Sequence, residues 1–513
     1  MFITAGKLLG GMRGTGGNAP TSKYIFTGTN LRTPDSTKTL GANAYFCCQS
    51  AFYTGDDALT NVYFVFCPWW TQGTGAETAT SVISLDGLGI KIGAGSWAAV
   101  PNSAVASFDA SAKDCYILGP VASIPANTLC YLRVSGAGAN GNTIPISSAP
   151  KWKAISPAEA GDVSASSLAA KLTDGTAMAD NGSFTGLMKP FCIVGQATTT
   201  RTSILAIGDS IGWGKNGYIS GDTTSSVLTP RGDWGYISIG MDDKTSSKRI
   251  PCLNTCIAGS APASLAQDLR RWRTMDAIKL LVGNYPFDEI LCQHGTNAGA
   301  TVVTDLVSLY TYLAGRFTGK SISQVELLPR PSSTDMYQTL ANQTCATQDA
   351  YPGGARWQAN AAAGGTAGTM GGDPSATWRV AGYIISSIPM WLGGCYDTGS
   401  NRGFLKVNLW SSTLAADYPG GVQNISSVDT PASAGLGLGD NIDFNGIWDA
   451  YTLSITGSGP YTINLGNNGT AEPTGTAIAS MIHDRTGLHP GPNSHRYLYA
   501  PLIVSWKQYR GWV

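Results

Sequence analysis

The sequence predicts an α/β domain with a mainly parallel sheet, preceded by an all-β, sandwich-like domain. Three observations lead there. At 513 residues the chain exceeds what one ordinary core holds. Up to about residue 150 its apolar runs are short, aromatic or β-branched, and bounded by Gly, Pro or Asn. After residue 200, short apolar runs alternate with helix-periodic stretches, the pattern of a layered α/β domain.

Taken in order, the runs 61–66 (NVYFVF), 81–85 (SVISL) and 128–134 (TLCYLRV) read as strands separated by turn residues. No window in this part keeps helical periodicity for three turns, so residues 1–150 are expected to form a β-sandwich-like accessory domain. Residues 151–200 read as a connector with a short helix near Leu168 and a strand at 191–194. The domain 201–513 opens with the run 204–207 (ILAI), which ends in Gly208 and suits a buried parallel strand. Leu265, Leu269, Trp272, Met275, Ile278 and Val282 recur at helical spacing and predict a helix over 263–282. A strand at 289–292, a helix over 304–317 and a strand at 325–328 follow. The Gly-, Ala- and Asn-rich stretch 335–440 breaks the alternation and reads as an insertion. Strands return over 441–468, and 494–510 reads as a closing helix.

Composition narrows the function classes. Hydrophobic residues make up 43% of the chain, as in globular proteins, but charged residues only 13%, against about 25% in typical soluble domains. Lys plus Arg and Asp plus Glu number 33 each. A neutral chain of this kind has no electrostatic footprint for nucleic acid or an anionic membrane. The first residues do not read as a signal peptide, and no run approaches the 18 or so apolar residues of a spanning helix. The eleven cysteines form no C-x-x-C pair and share no zinc-like spacing with histidines, so no metal site is expected. Most sit in apolar runs and read as buried thiols. The sequence leaves open whether any pair as disulfides. The phosphate loop G-x-x-x-x-G-K-[ST] and the zinc pattern H-E-x-x-H are absent, so no cofactor is implied.

Chemistry concentrates around Gly208-Asp209-Ser210-Ile211-Gly212, directly after a predicted buried strand. A serine there stands at the carboxyl end of a strand and the start of a helix, where ligands gather and backbone N–H groups converge. The same position suits a plain helix cap, and the pentapeptide alone leaves both open. It also matches the G-x-S-x-G elbow of α/β-hydrolases. That fold needs strand–helix units upstream, where this chain reads as β, and often an upstream histidine loop, whereas no histidine precedes His294. A serine nucleophile needs a base, and the chain has four histidines: His294, His483, His489 and His495. His489, in the Gly/Pro-rich loop Gly487-Leu488-His489-Pro490-Gly491-Pro492, is the candidate, while His483 and His495 read as structural.

These motifs, taken together, resemble the SGNH (GDSL-type) hydrolases, a superfamily that includes carbohydrate esterases. Gly208-Asp209-Ser210 looks like the first block. Asn254-Thr255-Cys256-Ile257-Ala258-Gly259-Ser260 looks like the second, Gly295-Thr296-Asn297 like the third, and Gly487-Leu488-His489-Pro490 like the last. The resemblance implies a flavodoxin-like three-layer domain, Ser210 as nucleophile and His489 as base. It further implies an oxyanion hole of Ser210, Gly259 and Asn297. Two positions depart from the pattern. Thr486 stands where relatives carry aspartate, so Asp484 is the candidate to orient His489, with a Ser–His dyad as the alternative. Ala298 replaces an aspartate common after the asparagine.

The expected activity is hydrolysis of short-chain acyl esters, O-acetyl above all, on a carbohydrate or another small ester. Trp69, Trp70, Trp213, Trp234 and Trp410 are candidates for stacking on sugar rings or for core packing. A lipolytic or aryl esterase is the alternative within the same chemistry, and a glycan-binding adhesion protein with weakened catalysis the alternative outside it. The composition favours an extracellular or virion-borne setting, with no nucleic-acid or membrane partner.

Overall fold

Two antiparallel sheets, both built before residue 200, face each other in the amino-terminal half. The computed structural model describes most of residues 20–325, with 216–230 as the longest stretch left out. It also describes strands between 332 and 467, and His495, Ala500, Ile503, Val504, Lys507 and Trp512. One sheet runs in the order Thr21–Thr27, Cys192–Thr199, Leu59–Phe66, Tyr116–Ile124. The other runs Ala160–Ser164, Tyr45–Tyr53, Leu129–Ala137, Ile83–Ile92, Trp97–Ala99.

Side-chain alternation decides what each face meets. Ile25, Phe64, Phe66 and Ile193 of the first sheet share a buried cluster with Phe46, Cys48, Phe52, Leu132 and Val134 of the second. Their neighbours Phe26, Val65, Cys192 and Val194 turn the other way. They join Leu205, Ile207, Leu253, Trp272, Met275 and Ile290 in a second cluster. The first sheet is therefore buried on both faces, which explains the unbroken apolar run at 191–194. Each large side chain so buried contributes about 1.5–3 kcal/mol. All nine cysteines whose side chains are described are free, eight of them buried. Burial pushes thiols such as those of Cys130 and Cys252 up to about 12, as expected of groups acting as small hydrophobes.

The expectation of a flavodoxin-like α/β domain with a mainly parallel sheet is overturned. Among the described residues strand outweighs helix, and most ladders are antiparallel. Parallel pairing among the described residues is confined to five strands, in the order Cys252–Asn254, Ile204–Ile207, Glu289–Cys292, Ser321–Val325, Trp378–Ile384. The same sheet then continues antiparallel through Met390–Asp397, Arg402–Leu409 and Val422–Val428. Chain length gives the reason. A parallel return needs a crossover of about a dozen residues or more, whereas only 385–389 and 398–401 separate the first of these strands.

The helix expected over 263–282 is two helices, Pro262–Leu265 and Arg270–Val282, with Leu269 extended between them. A tertiary contact accounts for the restart. The carboxylate of Glu77, from the strand Glu77–Ala79, accepts hydrogen bonds from the N–H groups of both Arg270 and Arg271. A negative group at a helix start satisfies orphan donors and complements the dipole. At the other end of the chain Lys507, helical like Ala500, Ile503 and Val504, donates to the carbonyls of Gly240, Met241 and Asp243 at 2.8, 3.2 and 2.9 Å. It thereby closes the C-terminus of the helix Tyr236–Asp242.

Candidate active site

Ser210 begins the short helix Ser210–Trp213, immediately past the carboxyl end of the strand Ile204–Ile207. The turn is held from within by Asp209, whose Oδ1 accepts from the Ile211 N–H at 2.9 Å as an N-cap does. Gln293, one residue past the strand Glu289–Cys292, braces it from beside. Its Oε1 accepts from the N–H groups of Gly212 at 2.7 Å and Asp209 at 3.2 Å. Gly212 must be small, because a Cβ there would stand 2.7 Å from both Cys256 Sγ and Gln293 Oε1. Nothing about Gln293 in the sequence announces this role.

The loop after Cys252–Asn254 is stitched to the serine turn. Asn254 Nδ2 donates to the Gly212 carbonyl at 2.9 Å, and Asn254 Oδ1 accepts from the Cys256 N–H at 3.0 Å. The Gly208 carbonyl accepts from the Ile257 N–H at 2.9 Å and from Ser260 Oγ at 3.0 Å. Gly259 has φ +82°, a conformation that costs any other L-residue. Its N–H has no acceptor among the described residues. Asn297 closes the group, its Nδ2 donating to the Ser260 carbonyl at 3.0 Å. An amide carries two N–H donors, so one is fixed by Ser260 while the second remains for another acceptor. The serine turn, the Gly259 loop and Asn297 are thus brought together through Gly208 and Ser260.

Two of the four histidines are described. His294 is fully buried, and burial together with the Arg271 charge pulls its imidazole down to about 3. Such a ring stays neutral and is a feeble base at neutral pH. His495 is also buried. Its Nδ1 faces the Tyr236 N–H at 3.2 Å, which makes Nδ1 the acceptor and leaves Nε2–H to donate to the Lys215 carbonyl at 3.1 Å. Both nitrogens are engaged in holding the C-terminal segment. His489, Asp484 and His483 lie outside the described residues.

Of the candidate stacking tryptophans, Trp69, Trp213 and Trp234 are buried. Trp213 and Trp234 meet edge to face at 5.9 Å, and the Arg32 guanidinium lies 3.9 Å over Trp234. They are packing groups. Trp70 is half-buried, and Trp410 lies outside the described residues.

If Asn297 donates to a developing oxyanion, Asn297→Ala should lower turnover of a model ester about a hundredfold or more with KM little changed, since such a donor is typically worth roughly 3–4 kcal/mol. Steady-state kinetics on p-nitrophenyl acetate measure this, and near-wild-type turnover would remove Asn297 from the site.

No protein-family model matches the chain, and none of the curated proteins matches it. Among solved structures it is similar to one described as the structure of a family two carbohydrate esterase from Cellvibrio japonicus. That likeness has 11% identity over 57% of this chain and 80% of the other, with a TM-score of 0.17. A likeness at that score carries no weight for fold or chemistry, and the functional reading rests on the chain's own residues.

Proposed function

We propose that this chain is a serine hydrolase of carboxylic esters, with Ser210 as nucleophile and His489 as general base. The observation that carries the reading is the convergence at one helix start. A serine, an N–H without an acceptor among the described residues at Gly259, and an amide donor at Asn297 are tied together through the Gly208 and Ser260 carbonyls. In this mechanism His489 takes the proton of Ser210 Oγ as that oxygen attacks the ester carbonyl carbon. The N–H groups of Ser210 and Gly259 and the Asn297 amide hold the oxyanion. The alcohol leaves with the proton from His489, and water then hydrolyses the acyl-enzyme. Asp484 is proposed to orient the His489 ring.

Neither described histidine suits the role of base, and between His483 and His489 the choice of His489 rests on the Gly487-Leu488-His489-Pro490 block and its resemblance. His294 is too weak a base and His495 is engaged at both nitrogens. The Lys215 carbonyl that His495 meets belongs to a residue whose own N–H donates to the Ser210 carbonyl at 2.8 Å. His489 precedes His495 by six residues, a span of at most about 20 Å, so it lies within chain reach of the serine turn. The finer reading is an O-acetyl or short-acyl ester on a carbohydrate. It is supported by the neutral chain and by half-buried Trp70, on the same hairpin as the Gly73 that abuts Gly259.

A fluorophosphonate probe tests the chemistry directly. It should add once, on Ser210 within the tryptic peptide 202–215, and extinguish hydrolysis of p-nitrophenyl acetate. His489→Ala should block both. Labelling confined to another serine, or no labelling of an active enzyme, would sink the proposal. Acetate preferred over butyrate is the expected result for a short acyl pocket.

A further inference from the structure

The backbone that approaches Gly259 most tightly belongs to a two-stranded hairpin of the amino-terminal half. Trp69–Thr71 pairs antiparallel with Glu77–Ala79. The turn between them is closed by the Gln72 N–H on the Ala76 carbonyl and the Gly75 N–H on the Gln72 carbonyl, both at 2.8 Å. At its base Trp69 is fully buried and donates from Nε1 to the Asp114 carbonyl at 2.7 Å. At its tip the hairpin presses on the loop that carries Gly259. A Cβ on Gly259 would stand 1.9 Å from the Gly73 carbonyl oxygen, and one on Gly75 would stand 2.8 Å from Ser264 Oγ.

A buried ion pair ties the two together. Glu77 and Arg271 have side chains 3% and 1% exposed and meet at 2.6 Å through Arg271 Nε. The same guanidinium reaches the Gly75 carbonyl at 3.4 Å and the Thr255 carbonyl at 3.5 Å. It therefore touches the hairpin and the start of the Gly259 loop at once. A planar guanidinium spanning several acceptors holds them in fixed relation, and its carboxylate partner fixes the guanidinium.

We infer that Glu77 is a positioning residue: acting through Arg271 and the Gly73 contact, it sets the place of the Gly259 N–H relative to Ser210. This rests on the serine-esterase reading above. The part of the chain before residue 200 then contributes to the reaction itself, since the donor's position is fixed by a hairpin within it. An oxyanion donor acts on the transition state and hardly on the bound ester, so displacing it lowers kcat and leaves KM in place.

The test is kinetics of full-length Glu77→Gln on p-nitrophenyl acetate, with active sites counted by phosphonate titration so that kcat refers to folded enzyme. The expected result is a kcat per site at least tenfold below wild type, KM within about twofold, and weaker inhibition by a boronic acid that mimics the tetrahedral state. A lower Tm is expected in any case, because Arg271 loses its buried counter-charge. An unchanged kcat per site, whatever the Tm, would reduce Glu77 to a structural role and overturn the inference. Should Glu77→Gln not fold, Glu77→Asp keeps the charge and draws the clamp in by one methylene. A threefold or larger loss of kcat per site in that variant supports positioning, and wild-type kcat overturns it. A wild type without esterase activity, or a Ser210→Ala enzyme with full activity, would be the failure of the esterase reading instead.

Discussion

Ser210→Ala should lower turnover of p-nitrophenyl acetate by a factor on the order of 10⁴ or more, the scale seen when a hydrolase loses its nucleophile. Binding groups and oxyanion donors survive in that variant, so the residual rate should still exceed that of water alone. Stability should barely move. Alanine is the best helix former, and the Asp209 carboxylate keeps its bond to the Ile211 N–H at 2.9 Å, so the turn retains its cap. The Gln293 brace on Gly212 and Asp209 engages backbone N–H groups and is equally untouched. The measurement is initial rate against thermal midpoint for the two proteins. A Tm within about 2 °C and a collapsed rate would separate chemistry from folding. Retained turnover would mean that Ser210 only starts a helix.

How much of this was legible in the sequence depends on which distance a feature spans. The strands Ile204–Ile207 and Glu289–Cys292 are visible as short apolar runs because burial on both faces writes itself into consecutive residues. The helix Val302–Arg316 is visible through its periodicity. The sheet's change of direction after Trp378–Ile384 was not, since strand pairing is decided by connection length and partners remote in sequence. Thr21–Thr27 on Cys192–Thr199 shows how remote those partners can be. The burial of charged groups is not legible for a related reason. Arg133, in the strand Leu129–Ala137, is 0% exposed. It lies inside because Gln49 and the carbonyls of Lys171, Asp174 and Thr176 accept its hydrogen bonds. At the site the same division holds. The Gly-Asp-Ser turn is local chemistry and can be read from five residues. Gln293, Glu77 and Arg271 have no local signature, because each matters through a contact with a segment far along the chain.

Gly259→Ala should damage both fold and rate, and its damage should come in two separable parts. The first is conformational. At φ +82° an alanine costs about 1–2 kcal/mol, as it would at any left-handed glycine. The second is steric. The added Cβ would lie 1.9 Å from the Gly73 carbonyl oxygen, a backbone atom held by a hairpin anchored at Trp69 and Glu77. Relief then requires the Gly259 loop to move, at an overpacking cost of roughly 1–3 kcal/mol, and that movement carries the N–H away from the serine. Loss of one such donor slows a hydrolase about 10²–10³-fold, so both stability and kcat should fall. Gly283→Ala isolates the first part. Gly283 has φ +85° at the end of Arg270–Val282, with nothing within 4 Å of where its Cβ would lie. That variant should lose stability by the conformational cost alone and keep wild-type kcat. Chemical denaturation and steady-state kinetics on both variants distinguish the parts. If Gly259→Ala loses stability but turns over ester as fast as Gly283→Ala, the Gly259 N–H is not an oxyanion donor and the hairpin contact serves the fold alone.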